Sequence, residues 1–436
     1  MASVIGAVRK AAVGQYHPLR RYANMMRRPG FSSGRNDMTF DEIKTTFGLT
    51  DGLRDGFDAS MTALHEADAF LDKGSVAANT ARLTMSDEIA KLIIDSLVLF
   101  DDVRAKALFW HCRRRIASGE RGDHNRWGVP SGGPNASMLY AFVVLSFVPD
   151  TFALHARRGI PEEITRDTLA DIERWIHTEK ERHGAFGFRE VGWLCNHITG
   201  KLFALGRLQF LMEHFSFDDI ILHRRDGSVT VLAPAGMKYR ADGLYDGTNG
   251  IIDANARTTV FRESEKAFEG NVILPTGRIT DTVAVLPKNE YRRVVSKGDN
   301  ALSFHIPASG PMDHGACGAS FARANEFFPK YFPEYGSKAF FSTSWLYDGE
   351  LEKVLPPAAN IVKFLREFYL LPLEKANDDQ MFERVFLKRY EHIEEAPQTT
   401  SVQKAIVAHM KGGGYFRSAK AILLPEDDRW DTPYRK

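Results

Sequence analysis

The spacing of the apolar residues changes partway along the chain, and that change limits what the chain can fold into. From about residue 38 to 215 apolar positions recur every three to four residues, the repeat of helices buried along one face. From 216 onward they alternate with polar residues in short runs broken by Gly, Asp and Pro. At 436 residues the chain is long for one domain and suits two. The reading is an all-helical domain over 38–215 and a mixed α/β domain over 216–436, behind a leader of residues 1–37.

Within the helical half, Thr39 and Glu42 have the spacing of a capping box, in which hydroxyl and carboxylate satisfy the open amides of a helix start. Ser86 opens a second helix, with Ile89, Leu92, Ile93, Leu97 and Leu99 on a broad apolar stripe. Residues 120–136, rich in Gly, Asn, Asp, Pro and Ser, read as a long loop. The apolar run Met138–Val148 is shorter than the roughly 20 residues that cross a bilayer, so it reads as a buried helix. Pro161 starts a further helix, with Glu162 and Glu163 where the dipole favours negative charge. A last helix is predicted over about 193–215. It carries Trp193 and His197, four apart and on one face, and Arg207 and Gln209, which do not share a face.

In the second half, Asp226-Gly227 between apolar runs marks a hairpin. Residues 234–270 give only weak strand signals. Strands resume in GRITDTVAVLP and NALSFHIP; in the latter, Leu302, Phe304 and Ile306 face one way and Ser303 and His305 the other. Asp313 then caps a helix expected to stop at Pro329. KAFFSTSWL reads as a strand, 348–368 as short helices broken by Pro356-Pro357, and FYLLPLE and MFERVFLKRY as two more strands. Thr400 or Ser401 caps a final helix ended by Gly412-Gly413-Gly414.

Composition narrows the function. The 57 basic and 56 acidic residues leave no cationic surplus for nucleic acid. Three cysteines build neither a disulfide framework nor a four-thiolate zinc site, which suits a reducing cytoplasm. No HExxH, CxxC, Walker or dinucleotide motif occurs, so no metal is expected. The seven basic residues from Arg9 to Arg35 stand in a stretch, residues 1–36, without Asp or Glu, as in a transit peptide, an anionic-surface anchor or a loose arm.

The order strand, turn, helix, strand, helix, strand, strand resembles the C-terminal part of the GNAT superfamily of N-acyltransferases. The resemblance extends through ARRGIPEEITRDTLADIERWI, GWLCNHITGKLFALGRLQF, LSFHIPASGP, STSWLYDGEL, AANIVKFLREF and QTTSVQKAI, over roughly residues 85–425. These stretches resemble the acyltransferase family with a helical N-terminal N-acyltransferase domain and a GNAT-like C-terminal domain. The resemblance implies a splayed central sheet whose gap holds the pantetheine arm of acyl-CoA, with the pyrophosphate on the following helix start. It implies transfer of an acyl group from acyl-CoA, or from an acyl carrier protein, to an amine or other small nucleophile.

Candidate residues follow from that placement. Ile306, Gly310, His314, Gly315, Ala316 and Cys317 would line the CoA site, although the turn lacks the family's leading Arg or Gln and Asp313 would repel phosphate unless it caps the helix. His305 would be the general base. Cys317 at a helix start could instead be a nucleophile, but Cys317, Phe321, Ala324 and Phe328 form a core stripe. Ser344 and Tyr347 would assist at the thioester, Tyr347 standing where the family usually has Leu. Trp193, His197, Arg207 and Trp345 would contact substrate or the interdomain surface. The rival reading is a non-catalytic binding or regulatory protein on a degenerate GNAT scaffold.

Overall fold

The computed structural model describes residues 38–119, 124–133, 135–425, 430–431 and 434. The basic leader lies outside them, as does part of the 120–136 loop. The chain forms two compact units that divide between Phe203 and Ala204.

The first unit is helical: α1 (Phe40–Phe47), α2 (Lys73–Arg82), α3 (Asp87–Asp95), α4 (Val103–Ala117), α5 (Leu139–Leu145), α6 (Val148–Ala156), α7 (Glu162–Leu169), α8 (Asp171–His183) and α9 (Val191–Ile198). Thr39 and Glu42 form the expected capping box on α1, and Ser86 caps α3 through the Ile89 amide. The α3 stripe is shorter than expected, because Ser96–Asp101 tightens into a 3-10 turn. Helix α4 is the centre of the core. Its Trp110 indole donates to Ser60 O at 3.0 Å, and His111 lies between Ser60 Oγ at 2.8 Å and Leu53 O at 2.6 Å. Burial pushes the His111 imidazole down to about 4, so it stays neutral in the core. The stretch Ala136–Ala156 is apolar and long enough for a bilayer, yet 78% of its apolar window is buried inside the protein.

The second unit has two packed sheets. One has the order β1 (Leu202–Leu205), β2 (Leu208–His214), β11 (Asn300–His305), β12 (Phe340–Ser344), β14 (Ala419–Leu423), β13 (Tyr369–Leu371). The other joins β10 (Tyr291–Val295), β3 (Ile220–Arg224), β4 (Val229–Leu232), β8 (Ala267–Leu274) and β7 (Phe261–Glu263), with β9 (Arg278–Pro287) on β8. A short ribbon pairs β5 (Lys238–Tyr239) with β6 (Arg257–Thr258). Between the sheets lies a core that includes Phe215, Ile221, Val231, Ala301, Phe341 and Ile422. On the other face of the first sheet, Phe210, Phe304 and Phe340 meet Phe321 of α10 (His314–Tyr331) at 5.1–5.4 Å. Helices α11 (Asn360–Arg366) and α12 (Ser401–Lys411, capped by Thr400) complete the unit.

Four elements differ from the sequence reading. The helix expected through Phe215 ends at Ile198, and a hairpin of β1 and β2 follows. Gly200 and Gly206 take φ of +66° and +86°, which a continuing helix cannot accommodate. In MFERVFLKRY the run Phe382–Phe386 is helical and the residues after it are irregular: Phe382 and Phe386, four apart, are both buried with rings 5.8 Å apart, while Arg389 anchors the segment on Asp379 at 2.6 Å. Helix α10 carries Pro329 in its last turn and continues to Tyr331. Strand β14 was not foreseen; AKAIL is buried at every position, so it shows no polar alternation.

The hairpin and α10 are tied by one hydroxyl. Fully buried Ser320 accepts from the amides of Arg207 at 2.8 Å and Leu208 at 3.3 Å, and donates to Ala316 O at 3.0 Å. Ser320→Ala leaves two amides unpaired and is expected to cost about 1–3 kcal/mol. Urea unfolding followed by tryptophan fluorescence measures this, and an unchanged midpoint would remove Ser320 from the account.

Candidate active site

Strands β11 and β12 are parallel neighbours that share only two register pairs, Leu302 with Phe340 and Ser303 with Phe341. Each is held along its length on its other edge. β11 pairs with β2 from Asn300–His214 to His305–Gln209, and β12 pairs with β14 from Phe340–Leu423 to Ser344–Ala419. Beyond Ser303 and Phe341 the two strands therefore part. The Leu302 amide donates to Ala339 O at 2.9 Å. Backbone groups alternate along a strand, so Phe304 and Ile306 turn theirs toward the same gap. His305, half-buried, faces the other way from Phe304, and its Nε2 lies 3.1 Å from Ser303 Oγ.

The chain then turns through Pro307–Pro311, and Arg207 holds that turn. Its Nε donates to Pro311 O at 2.9 Å, one terminal nitrogen to Pro307 O at 3.0 Å and the other to Gly310 O at 3.1 Å. Gly310 adopts φ +72°, a conformation strained for other residues. Asp313 does cap α10, accepting from the Ala316 amide at 2.8 Å. The amides of His314 and Gly315, in the first turn of α10, have no partner among the described residues.

The remaining candidates fall elsewhere. Cys317 is buried, and burial pushes its thiol up to about 11, far from a thiolate near neutral pH. Tyr347 is buried among Phe304, Phe364 and Phe368, and desolvation raises its phenol well above the usual range. Its ring lies 6.0 Å from that of Phe304, and its hydroxyl is buried without a hydrogen-bond partner among the described residues. Ser344 caps the next turn through the Leu346 amide at 3.2 Å; Trp345, also buried, is held by Gln380 Oε1 on its amide at 2.7 Å. In the first unit, Asp171 Oδ2 receives the Trp193 indole at 3.2 Å and lies 2.9 Å from Nε2 of fully buried His197. These two residues brace α9 on α8.

Sequence reasoning missed the residues that come from far along the chain. Arg207 was placed on a helix, although Gly206-Arg207 between LFAL and LQFL is a hairpin signal in its own right. Trp430 left no local trace. Its indole donates to His314 O at 3.0 Å, and its ring covers Gly318 and stacks 5.4 Å from Phe321. His314, Glu367 and Asp431 cluster beside it. Each imidazole nitrogen faces a different carboxylate, Nε2 at 2.9 Å from Glu367 and Nδ1 at 3.4 Å from Asp431.

A Cβ at position 318 would sit 2.4 Å from Trp430 Cδ1. Gly318→Ala should therefore expel the indole while the helix itself gains intrinsic propensity, about 1 kcal/mol. A red-shifted tryptophan emission with unchanged helicity is expected; an unshifted spectrum would contradict the seating.

The chain was compared with known proteins. The GNAT-like C-terminal domain family matches residues 202–423, and the N-acyltransferase N-terminal domain family matches residues 76–200. Among solved structures, an acyltransferase in complex with decanoyl-CoA and teicoplanin superposes with a TM-score of 0.58 at 21% identity, over 89% of this chain and 99% of that one. An acyltransferase in complex with CoA and 10C-teicoplanin gives 0.56 at the same identity and coverage. At that identity the likeness speaks for the fold. Nothing among curated protein sequences matches. The first family match alone spans half of the chain, which therefore belongs to the GNAT-like C-terminal domain family, with an N-acyltransferase N-terminal domain ahead of it.

Proposed function

We propose that this protein is an acyl-CoA-dependent N-acyltransferase acting on a small-molecule amine. The observation that carries the reading is the parting of β11 and β12 beside His305, immediately before a glycine-bearing turn and a helix start with open amides. Two structurally similar acyltransferases were crystallised with decanoyl-CoA and with CoA, which supports CoA as the donor carrier over an acyl carrier protein. All three cysteines are free and buried, which suits a reducing cytoplasm.

In this reading the pantetheine arm lies in the gap against the backbone of Phe304 and Ile306. The pyrophosphate rests on the open amides of His314 and Gly315, where the helix dipole favours an anion. The amine attacks the thioester carbonyl carbon; the C–N bond forms and the C–S bond breaks. Backbone N–H groups turned into the gap stabilise the transient oxyanion. His305 takes the proton lost by the amine nitrogen, and the CoA thiolate leaves to be protonated by solvent. Ser303 Oγ, at 3.1 Å from Nε2, orients the ring.

Two outcomes test the assignment. His305→Gln should lower transfer from decanoyl-CoA by about 10²-fold or more, the usual worth of a general base, with donor binding by calorimetry unchanged. Equal thiol release by variant and wild type would remove His305 from the step. Arg207→Met releases the Pro307–Pro311 turn, so it should raise KM for decanoyl-CoA about tenfold or more and leave decanoyl-pantetheine, which lacks the nucleotide phosphates, unaffected. An equal effect on both donors would separate Arg207 from phosphate recognition. Binding of decanoyl-CoA with no transfer to any amine would favour the non-catalytic alternative, which the missing Arg or Gln of the phosphate turn supports.

A further inference from the structure

Gln209 is 2% exposed, and its side-chain Nε2 is buried without a hydrogen-bond partner among the described residues. Leaving such a group unpaired is costly, so a buried free amide asks for an explanation. Its position gives one. Gln209 is the register partner of His305 across the antiparallel β2–β11 pair. The two side chains thus share a face with Cβ atoms about 4.5–5.5 Å apart.

The level of the pair in the sheet matters as much. Counting two residues beyond the last shared pair, Ser303 with Phe341, places His305 level with exposed Thr343 across the gap. Thr343 in turn pairs with Lys420, whose ammonium meets the buried Asp219. One row across this face therefore reads Gln209, His305, gap, Thr343, Lys420. The row below it, Leu211, Ser303, Phe341, Ile422 and Tyr369, is apolar apart from Ser303. The face changes from apolar to polar at the level where the strands separate. Lys420 has its own counter-ion and Ser303 lies beside His305, while the Nε2 of Gln209 is the buried polar atom of the row that has no hydrogen-bond partner among the described residues.

We propose that Gln209 is a substrate-contacting, specificity-determining residue that holds the acyl acceptor beside His305. This rests on the N-acyltransferase reading above. A carboxamide offers an acceptor oxygen and an N–H donor side by side. Both ends are satisfied by an amine that carries a hydroxyl or carbonyl oxygen near its nitrogen: the oxygen of Gln209 accepts from the amine, and its nitrogen donates to the neighbouring oxygen. The amine is then aligned with its remaining hydrogen toward the imidazole. An alkyl amine without that oxygen leaves the buried N–H unpaired, which is how a polar site rejects an apolar analogue.

The test compares wild type and Gln209→Met, a change that keeps the side-chain length and removes both polar ends. With decanoyl-CoA as donor, kcat/KM is measured for ethanolamine and for propylamine, alongside hydrolysis of decanoyl-CoA with no amine present. Wild type should prefer ethanolamine, and Gln209→Met should reduce that preference about tenfold or more, with hydrolysis and the KM for decanoyl-CoA unchanged. Because an unpaired buried amide is removed, the melting temperature should hold or rise by about 2–4 °C. An unchanged preference, or an equal loss of hydrolysis and transfer, would overturn the proposal. So would a fall in melting temperature of several degrees, which would mean that the amide serves the fold, and that readout stands even if wild type acylates neither amine. Absence of all acyl transfer and hydrolysis in wild type would instead overturn the acyltransferase reading.

Discussion

Strands β11 and β12 can separate because neither depends on the other. Each has an antiparallel partner along its whole length on the far edge, β2 for one and β14 for the other, so the loss of pairing between them leaves no edge of the sheet unsupported. The apolar layers keep the gap from spreading down the sheet. Phe304 lies 5.0 Å from Phe368 and 5.1 Å from Phe321 on one face, and Phe341 lies 5.5 Å from Phe215 on the other. The gap is thus a local opening in a sheet clamped from both sides. The site inherits its rigidity from two antiparallel ladders, and its side chains stand on strands and not on loops, which favours precision.

The end of β12 beyond the opening is fixed by buried charge. Asp348 follows β12, is fully buried, and accepts from the Arg417 amide at 2.8 Å while its carboxylate pairs with the Arg417 guanidinium at 3.0 Å. Burial raises the Asp348 carboxyl, and the guanidinium opposes that shift. Glu350, two residues on, takes Arg278 of β9 at 3.1 Å. One turn therefore joins β12, the approach to β14 and the second sheet. Pairs of this kind add little net stability over apolar packing, but they accept only one arrangement of the segments they join. That selectivity suits a sheet in which two strands must end at a defined height.

Local pattern made part of this legible. The alternation of Leu302, Phe304 and Ile306 fixed which way His305 faces, and a Gly-rich turn before a capping Asp placed the α10 start. Both signals lie within a few residues of what they describe. The rest is non-local. Arg207 reaches carbonyls about 100 residues away, and Lys420 pairs with Asp219 across 201 residues. No periodicity encodes such contacts. The hairpin at Gly206-Arg207 was hidden for another reason: LFALGRLQFLMEHF is apolar enough on either side to suit helix or strand, and tertiary pairing with β11 decides between them. In MFERVF the same ambiguity resolved the other way, because Phe382 and Phe386 bury at a spacing of four.

An acid and a cation stand on either side of the turn before α10. Asp313 spends its carboxylate on the Ala316 amide, which answers the objection that an acid there would repel phosphate only in part, since the cap keeps its negative charge. Arg207 supplies the balance. Its guanidinium is fixed by the three carbonyls of the turn in front of the helix, a place that no short sequence motif beginning at the turn could record. The turn, which has no Arg or Gln of its own, thus receives a cation from the β1–β2 hairpin. Ser320 makes the arrangement stiff by binding the amides of Arg207 and Leu208 to the helix that follows the turn. A hydroxyl, a hairpin and a helix end together set the local potential, and the potential follows from contacts rather than from composition, which for the whole chain is nearly neutral.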